Sequence, residues 1–260
     1  MIRILILSAL SISSCSKLQT KDACIANAPG LETSPLSNSG LADETVVLSF
    51  YGSLRQEISS LGDYLLAEGI RASFFFDGNS IANFESTAGS LFNQGFIFGS
   101  HGFSGRALTS LAQPITELHL ADAVLHPYVT NNIYLLFPPE GTIDDRIVQS
   151  ADQDGFGKYV GPISFDHSLD FMQTCLASSS VEECATAIVD QAAGDGSGHI
   201  GLSVDTDNIL SIATAVVEEA SSRSLSFEPI TAIESIRVAI ARRGGQPDLN
   251  QKVSNCNDYD

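Results

Sequence analysis

The sequence predicts an α/β protein built on a parallel β-sheet. Three observations carry this. Short, nearly uninterrupted apolar runs recur along the chain, and such runs suit strands covered on both faces. They alternate with stretches at helical spacing or rich in turns, the order that produces parallel pairing. Counted from residue 44 there are seven runs and no glycine fingerprint of a dinucleotide fold. A barrel closed or nearly closed by seven strands therefore competes with an open doubly wound sheet.

Val46 to Phe50 form the first strand. Leu54, Ile58, Leu61 and Leu65 follow at helical spacing, and Gly69 supplies the C-terminal cap of that helix. Further strands fall near 71–76, 96–100, 133–137, 158–164, 199–204 and 225–230. Ser180 and Glu183 fit a capping box that opens a helix through Val189, and Asn208 is placed to cap a helix reaching about Ala220. The folded domain is expected over 44–242, followed by a polar tail over 243–260. In either architecture ligands gather at the C-terminal ends of the strands. The residues just after Phe50, Phe76, Ser100, Phe137, Ser164 and Val204 are thus the candidates.

Composition narrows the class. With 260 residues and 43% hydrophobic content the chain can fill a sizeable core, which excludes disorder throughout. A net charge of −18 repels nucleic-acid backbones and anionic membrane surfaces, so no nucleic-acid partner is expected. Only 17% of residues are charged, a balance that suits a secreted or surface-attached protein.

Residues 1–14 read as a signal peptide, with Arg3 before the apolar run Ile4 to Ile12. Ser13-Ser14-Cys15 resembles the lipobox of bacterial lipoproteins, which makes Cys15 the expected lipidation site and a lipid anchor the only membrane contact. The alternative is an ordinary secretory signal cleaved nearby. Residues 15–43 then form the lipidated cysteine and a flexible tether rich in Ser, Asn, Pro and Gly. Cys24, Cys175, Cys184 and Cys256 remain, in an oxidising compartment, with three connectivities. Pairing Cys175 with Cys184 closes a short loop and pairing Cys24 with Cys256 ties the two tails together, and this is the expected set. No CxxC pair is present, so zinc binding by these cysteines is not expected.

The strand ends carry further information. Ser49-Phe50-Tyr51-Gly52-Ser53 follows the first strand, Arg71 to Gly78 the second, and Gly99-Ser100-His101-Gly102-Phe103-Ser104 the third. In this order and spacing they resemble the polysaccharide deacetylases with a NodB-homology domain, also called carbohydrate esterase family four. Phe137-Pro138-Pro139-Glu140-Gly141 is similar to that family's Arg-Pro-Pro-Tyr-Gly, and His167-Ser168-Leu169-Asp170-Phe171 to its Asp-Ser-x-Asp-Trp. Gly198 to Asp205 resembles the frame that ends Leu-x-His-Asp. The resemblance spans residues 44–236.

It implies a distorted seven-stranded (β/α) barrel and metal-dependent removal of acetyl groups from glycans such as peptidoglycan or chitin-like polymers. In that chemistry an Asp-His-His set holds the metal, an Asp serves as base and a His as acid. On this chain the Asp-Asp pair falls on Tyr51 and Gly52, the two metal histidines on His101 and Gly105, the base-orienting arginine on Phe137 and the acid histidine on Val204. Tyrosine, with an ordinary pKa of about 10, is a poor substitute base. One of three ligands survives where catalytic zinc needs three, so no resident cofactor is expected, and zinc only in a rebuilt site. Reinstating the site through Tyr51→Asp, Gly52→Asp and Gly105→His is expected to create a metal centre.

Each candidate has two readings. Tyr51, Phe103, Phe137 and Phe171 either line a cleft that stacks sugar rings or fill a collapsed pocket. His101 either bonds a sugar or is satisfied by backbone. Asp166, His167, Asp170, Asp205 and Asp207 lie near strand ends and could supply substitute carboxylates; otherwise Asp205 and Asp207 cap the helix at Asn208 while Asp166 and Asp170 bond their own loop. His199 opens a strand and is expected to cap it, and His119 and His126 form a surface stripe. The function expected is a degenerate deacetylase-like protein of the bacterial cell envelope that binds cell-wall polysaccharide or acts as a scaffold. The rivals are an active metal-dependent deacetylase with a rebuilt site and a platform for protein contacts.

Overall fold

The structure is a computed structural model that describes residues 31–37, 40–129, 133–153, 157–194 and 196–243. Seven strands are present among them: β1 (Thr45–Gly52), β2 (Ser73–Phe76), β3 (Ile97–Ser100), β4 (Tyr134–Leu136), β5 (Tyr159–Val160), β6 (Ser197–Ser203) and β7 (Ser226–Glu228). All pair in parallel, in the order β5-β4-β3-β2-β1-β6, with β7 also on β1. β6 takes one whole edge of β1. On the other edge β7 pairs with Thr45–Val47 and β2 with Ser49–Gly52, so two strands share it end to end. The gap between β5 and β6 is bridged by irregular backbone: the Ile163 amide donates to Leu136 O (2.8 Å) and the Asp166 amide to His199 O (3.0 Å). This is the distorted seven-stranded barrel architecture.

Residue alternation explains why the central strands are largely apolar on both faces. Val46, Leu48, Phe50, Phe74, Phe76, Leu136, Ile200 and Leu202 face outward into a cluster with the helices. Val47, Phe75, Leu135 and Val160 face inward, where Ile230, Ile233, Ile236 and Ile240 complete a second cluster. With a side-chain period of two and both faces covered, no position on these strands calls for a polar residue.

The helices around the strands are α1 (Ile58–Ala67), α2 (Gly78–Asn83), α3 (Glu85–Asn93), α4 (Pro114–Leu125), α5 (Asp145–Gln153), α6 (Phe171–Leu176), α7 (Val181–Ala193), α8 (Ile209–Ser222) and α9 (Glu234–Arg242). Gly69 ends α1 as expected, at φ 73°, with the Ile70 amide donating to Leu65 O at 2.9 Å. The capping box on α7 is complete: Ser180 Oγ accepts from the Glu183 amide, and the Glu183 carboxylate accepts from the Ser180 amide. Asn208 departs from expectation. It precedes α8 in the left-handed region (φ 59°) and its side chain makes no capping bond.

The expected Cys175–Cys184 disulfide is present and clasps α6 to α7, with Cα atoms 5.7 Å apart. Cys15, Cys24 and Cys256 lie outside the described residues, as does the whole expected signal peptide. Two boundaries need correction. Residues 31–37, expected within the tether, pack on the domain: Leu31 is 1% exposed, and the Leu36 amide donates to Pro162 O at 2.8 Å. Burying Leu31 and part of Leu36 outweighs the local Ser and Pro content. Arg243, the expected start of the tail, is buried at the end of α9. No helix among the described residues is long and apolar enough to cross a membrane.

Candidate functional site

The C-terminal strand ends converge on four rings. Tyr51 is the next-to-last residue of β1, His101 follows β3, Phe137 follows β4, and Phe165 lies on the segment bridging β5 and β6. Phe137 stacks on His101 with centroids 5.2 Å apart and meets Phe165 at 4.5 Å and Tyr51 at 5.0 Å. Tyr51 in turn stacks on Phe165 at 5.5 Å. Phe137 is 1% exposed and His101 8% exposed, so the middle of the barrel mouth is packed with side chains. Of the two readings for these aromatics, Phe137 takes the pocket-filling one.

The polar atoms of the cluster are held by backbone. His101 Nδ1 lies 2.7 Å from Phe137 O, which accepts its proton and leaves Nε2 as the acceptor of a neutral ring. Burial lowers the His101 pKa to about 4, against smaller opposing effects of that carbonyl and of Asp77. The Tyr51 hydroxyl donates to Leu169 O at 3.0 Å. Its pKa is pushed up to about 12 by burial first, then by Asp205 and Asp170. Near neutral pH both groups are uncharged.

Around the rim, Asp205 accepts from the Ser53 amide (3.2 Å to Oδ1), and Arg55, which also donates to the Val204 carbonyl, faces it. Burial is the main effect raising the Asp205 pKa. Gly52 has φ 122°, and a Cβ there would lie 2.4 Å from Asp205 Oδ2. The carboxylate that follows β6 thus fills the space a side chain at position 52 would take. Gly52→Asp, one of the three substitutions expected to create a metal centre, therefore requires the Asp205 carboxylate to move aside and places a side chain at a strained φ. Gly105 has open space, its nearest neighbour being Asp77 Cβ at 3.9 Å, but sits at φ 70°, where a side chain is strained.

Other candidates fall elsewhere. Val204 is fully buried in the outer cluster, one residue out of phase with the mouth, while Ser203 reaches it. Phe103 and Phe171 pack on the same outer cluster and not on the ring stack. Asp166 Oδ2 accepts from the His199 amide at 2.7 Å, which pins the bridging segment to β6. His199 is no strand cap. It is fully buried inside the barrel with Nε2 2.8 Å from Ser49 Oγ. His119 and His126 are exposed, as expected.

Beside the ring stack lies a groove of about 750 Å³. Tyr51, His167, Asp170, Asp205 and Asp207 line it, against an apolar wall from Met172 and Leu176 of α6. His167 is fixed as a neutral ring, Nδ1 donating to Ser168 O (2.9 Å) and Nε2 accepting from the Gly201 amide (3.0 Å). The reading from sequence missed Phe165. Its signal was an aromatic residue directly after the fifth strand, where ligand-facing groups were expected.

The residues do not fit the divalent metal that the family's chemistry uses. Among the described residues no three His, Cys, Asp or Glu side chains gather as a ligand set, and Asp77 is committed to the α2 N-terminus, accepting from the Ser80 amide at 2.8 Å.

The family model for polysaccharide deacetylase matches residues 39–158. No curated protein matches the chain. Among solved structures, a peptidoglycan N-acetylglucosamine deacetylase superposes with TM-score 0.62 at 12% identity, covering 80% of this chain and 94% of that one. A carbohydrate esterase family four pseudoenzyme from Bacillus anthracis gives TM-score 0.61 at 13% identity, covering 79% and 69%. A family four carbohydrate esterase from Streptomyces lividans in complex with acetate gives 0.58 at 17%, covering 74% and 95%. The matched residues run from just before β1 to just before β5, and the strand-end motifs noted in the sequence fall on the same barrel mouth: over this stretch the chain is similar to the polysaccharide deacetylases, and it shares the fold of the family four carbohydrate esterases.

Proposed function

We propose that this protein is a catalytically degenerate polysaccharide deacetylase that binds cell-wall glycan without hydrolysing it, held at the bacterial envelope through a lipid on Cys15. The observation that carries the reading is the packed stack of Tyr51, His101, Phe137 and Phe165 at the centre of the barrel mouth. An acetyl group needs space there, and a base, an acid and a metal need ionisable partners. Backbone bonds and burial keep the two polar rings neutral instead. The neighbouring groove, with one aromatic edge, an apolar wall and several hydrogen-bonding side chains, has the make-up of a small-ligand site. A scaffold role for protein partners uses the same rigid barrel and needs no groove.

One observation favours the alternative of an active, rebuilt enzyme. Asp205 brings a carboxylate with a raised pKa into the space beside Gly52. Acetate release from a panel of acetylated glycans, with and without zinc, cobalt or manganese, decides between them. The account expects no release and measurable affinity for at least one glycan. Metal-dependent release that disappears in His101→Ala would overturn it.

A further inference from the structure

Resting on the glycan-binding reading above, we propose that the groove beside the ring stack selects glycans bearing free, cationic amino groups over their N-acetylated counterparts. Its volume of about 750 Å³ is within the usual range for small-ligand clefts. Three carboxylates line it, Asp170, Asp205 and Asp207, and among the described residues no lysine or arginine does. Arg55 faces Asp205 from outside the groove. Asp170 accepts only from the Ser168 hydroxyl, and neither Asp170 nor Asp207 is ion-paired among the described residues. Asp170 and Asp205 come from two different loops and line the groove together with Tyr51.

A second observation is independent of charge. An N-acetyl group carries a methyl that wants an apolar pocket, and the pocket at the barrel centre is already filled by Phe137 and Phe165, whose centroids are 4.5 Å apart. An ammonium group needs no such pocket. It offers three donors and a positive charge, which the groove's acceptors and the overall charge of −18 both favour. The apolar wall from Met172, Leu176 and Ile212 remains for the carbon face of the sugar.

The test is calorimetric titration of the full chain with fully deacetylated and fully N-acetylated β-1,4-linked glucosamine oligomers of equal length. The deacetylated oligomer is expected to bind about tenfold tighter or more, with affinity falling as salt is added. Asp170→Asn and Asp207→Asn are each expected to weaken it about threefold and to weaken the acetylated oligomer less, so that the ratio between the two forms falls. Equal or tighter binding of the acetylated form would overturn this inference and leave glycan binding intact. Binding of neither form would remove both. A preference unchanged in the two variants, or matched by an oligolysine of equal charge, would also overturn it.

Discussion

Replacing Phe137 with alanine is expected to destabilise the protein by about 3–5 kcal/mol, the range for removing a fully buried aromatic ring from a core. The ring is 1% exposed and lies against four others: Phe165 (4.5 Å), Tyr51 (5.0 Å), His101 (5.2 Å) and Phe75 (6.0 Å between centroids). For a domain of this size the thermal midpoint should fall by about 10 °C. Denaturant or thermal unfolding of wild type and variant measures it. A residue lining an open cleft would lose little, so a change under about 1 kcal/mol would mean that the mouth is not packed. Tyr51→Phe provides the contrast. It keeps the ring and removes only the bond to Leu169 O, a loss of about 1 kcal/mol.

The second large effect is acid lability from buried neutral histidines. His199 is fully buried, held by Ser49 and edge-on to Phe165 at 4.8 Å. Burial first, then neighbouring His167, lowers its pKa to about 3. His101 is lowered to about 4 and His167 is lowered as well, each mainly by burial. In the unfolded chain each histidine titrates near 6.5. Above that value neither state holds the extra proton, and the full stability is present. Below it the unfolded chain takes up protons that the folded one refuses. Stability then falls by about 1.4 kcal/mol per pH unit for each such histidine, until the folded value is reached. At pH 5 the loss is about 2 kcal/mol each for His101 and His199. Carboxylates add their own acid dependence, so the useful quantity is a difference between variants. In His199→Gln the slope of unfolding free energy between pH 6 and pH 4 should be lower by about one proton. An unchanged slope would show that His199 is charged or solvated in the native state.

Much of the fold was legible because it rests on local pattern. Apolar runs such as Val46–Phe50 and Ser73–Phe76 are strands because their two faces enter two different clusters. The Ser180–Glu183 box and the Cys175–Cys184 bridge depend on spacings of three and nine, which the chain displays directly. The site was legible in position and less so in content. Tyr51, His101 and Phe137 lie at strand ends that the alternation of runs displays, yet whether they line or fill the mouth depends on Phe165, which arrives on irregular backbone. Val204 is buried in the outer cluster while Ser203 beside it reaches the groove, a difference between neighbouring residues that the strand pattern alone does not record. The exclusion between Gly52 and Asp205 joins residues far apart in sequence, and no local pattern records it. Leu31 and Leu36 were assigned to a tether because two leucines without periodicity give no signal until a surface is present to receive them.

The central claim is that the barrel mouth is closed by rings and offers no metal set built on His101. Isothermal titration of zinc into the full chain, run beside His101→Ala, tests it most directly. The account predicts that the two proteins give the same isotherm, with no zinc bound through His101. One equivalent bound by the wild type and lost in His101→Ala would contradict it.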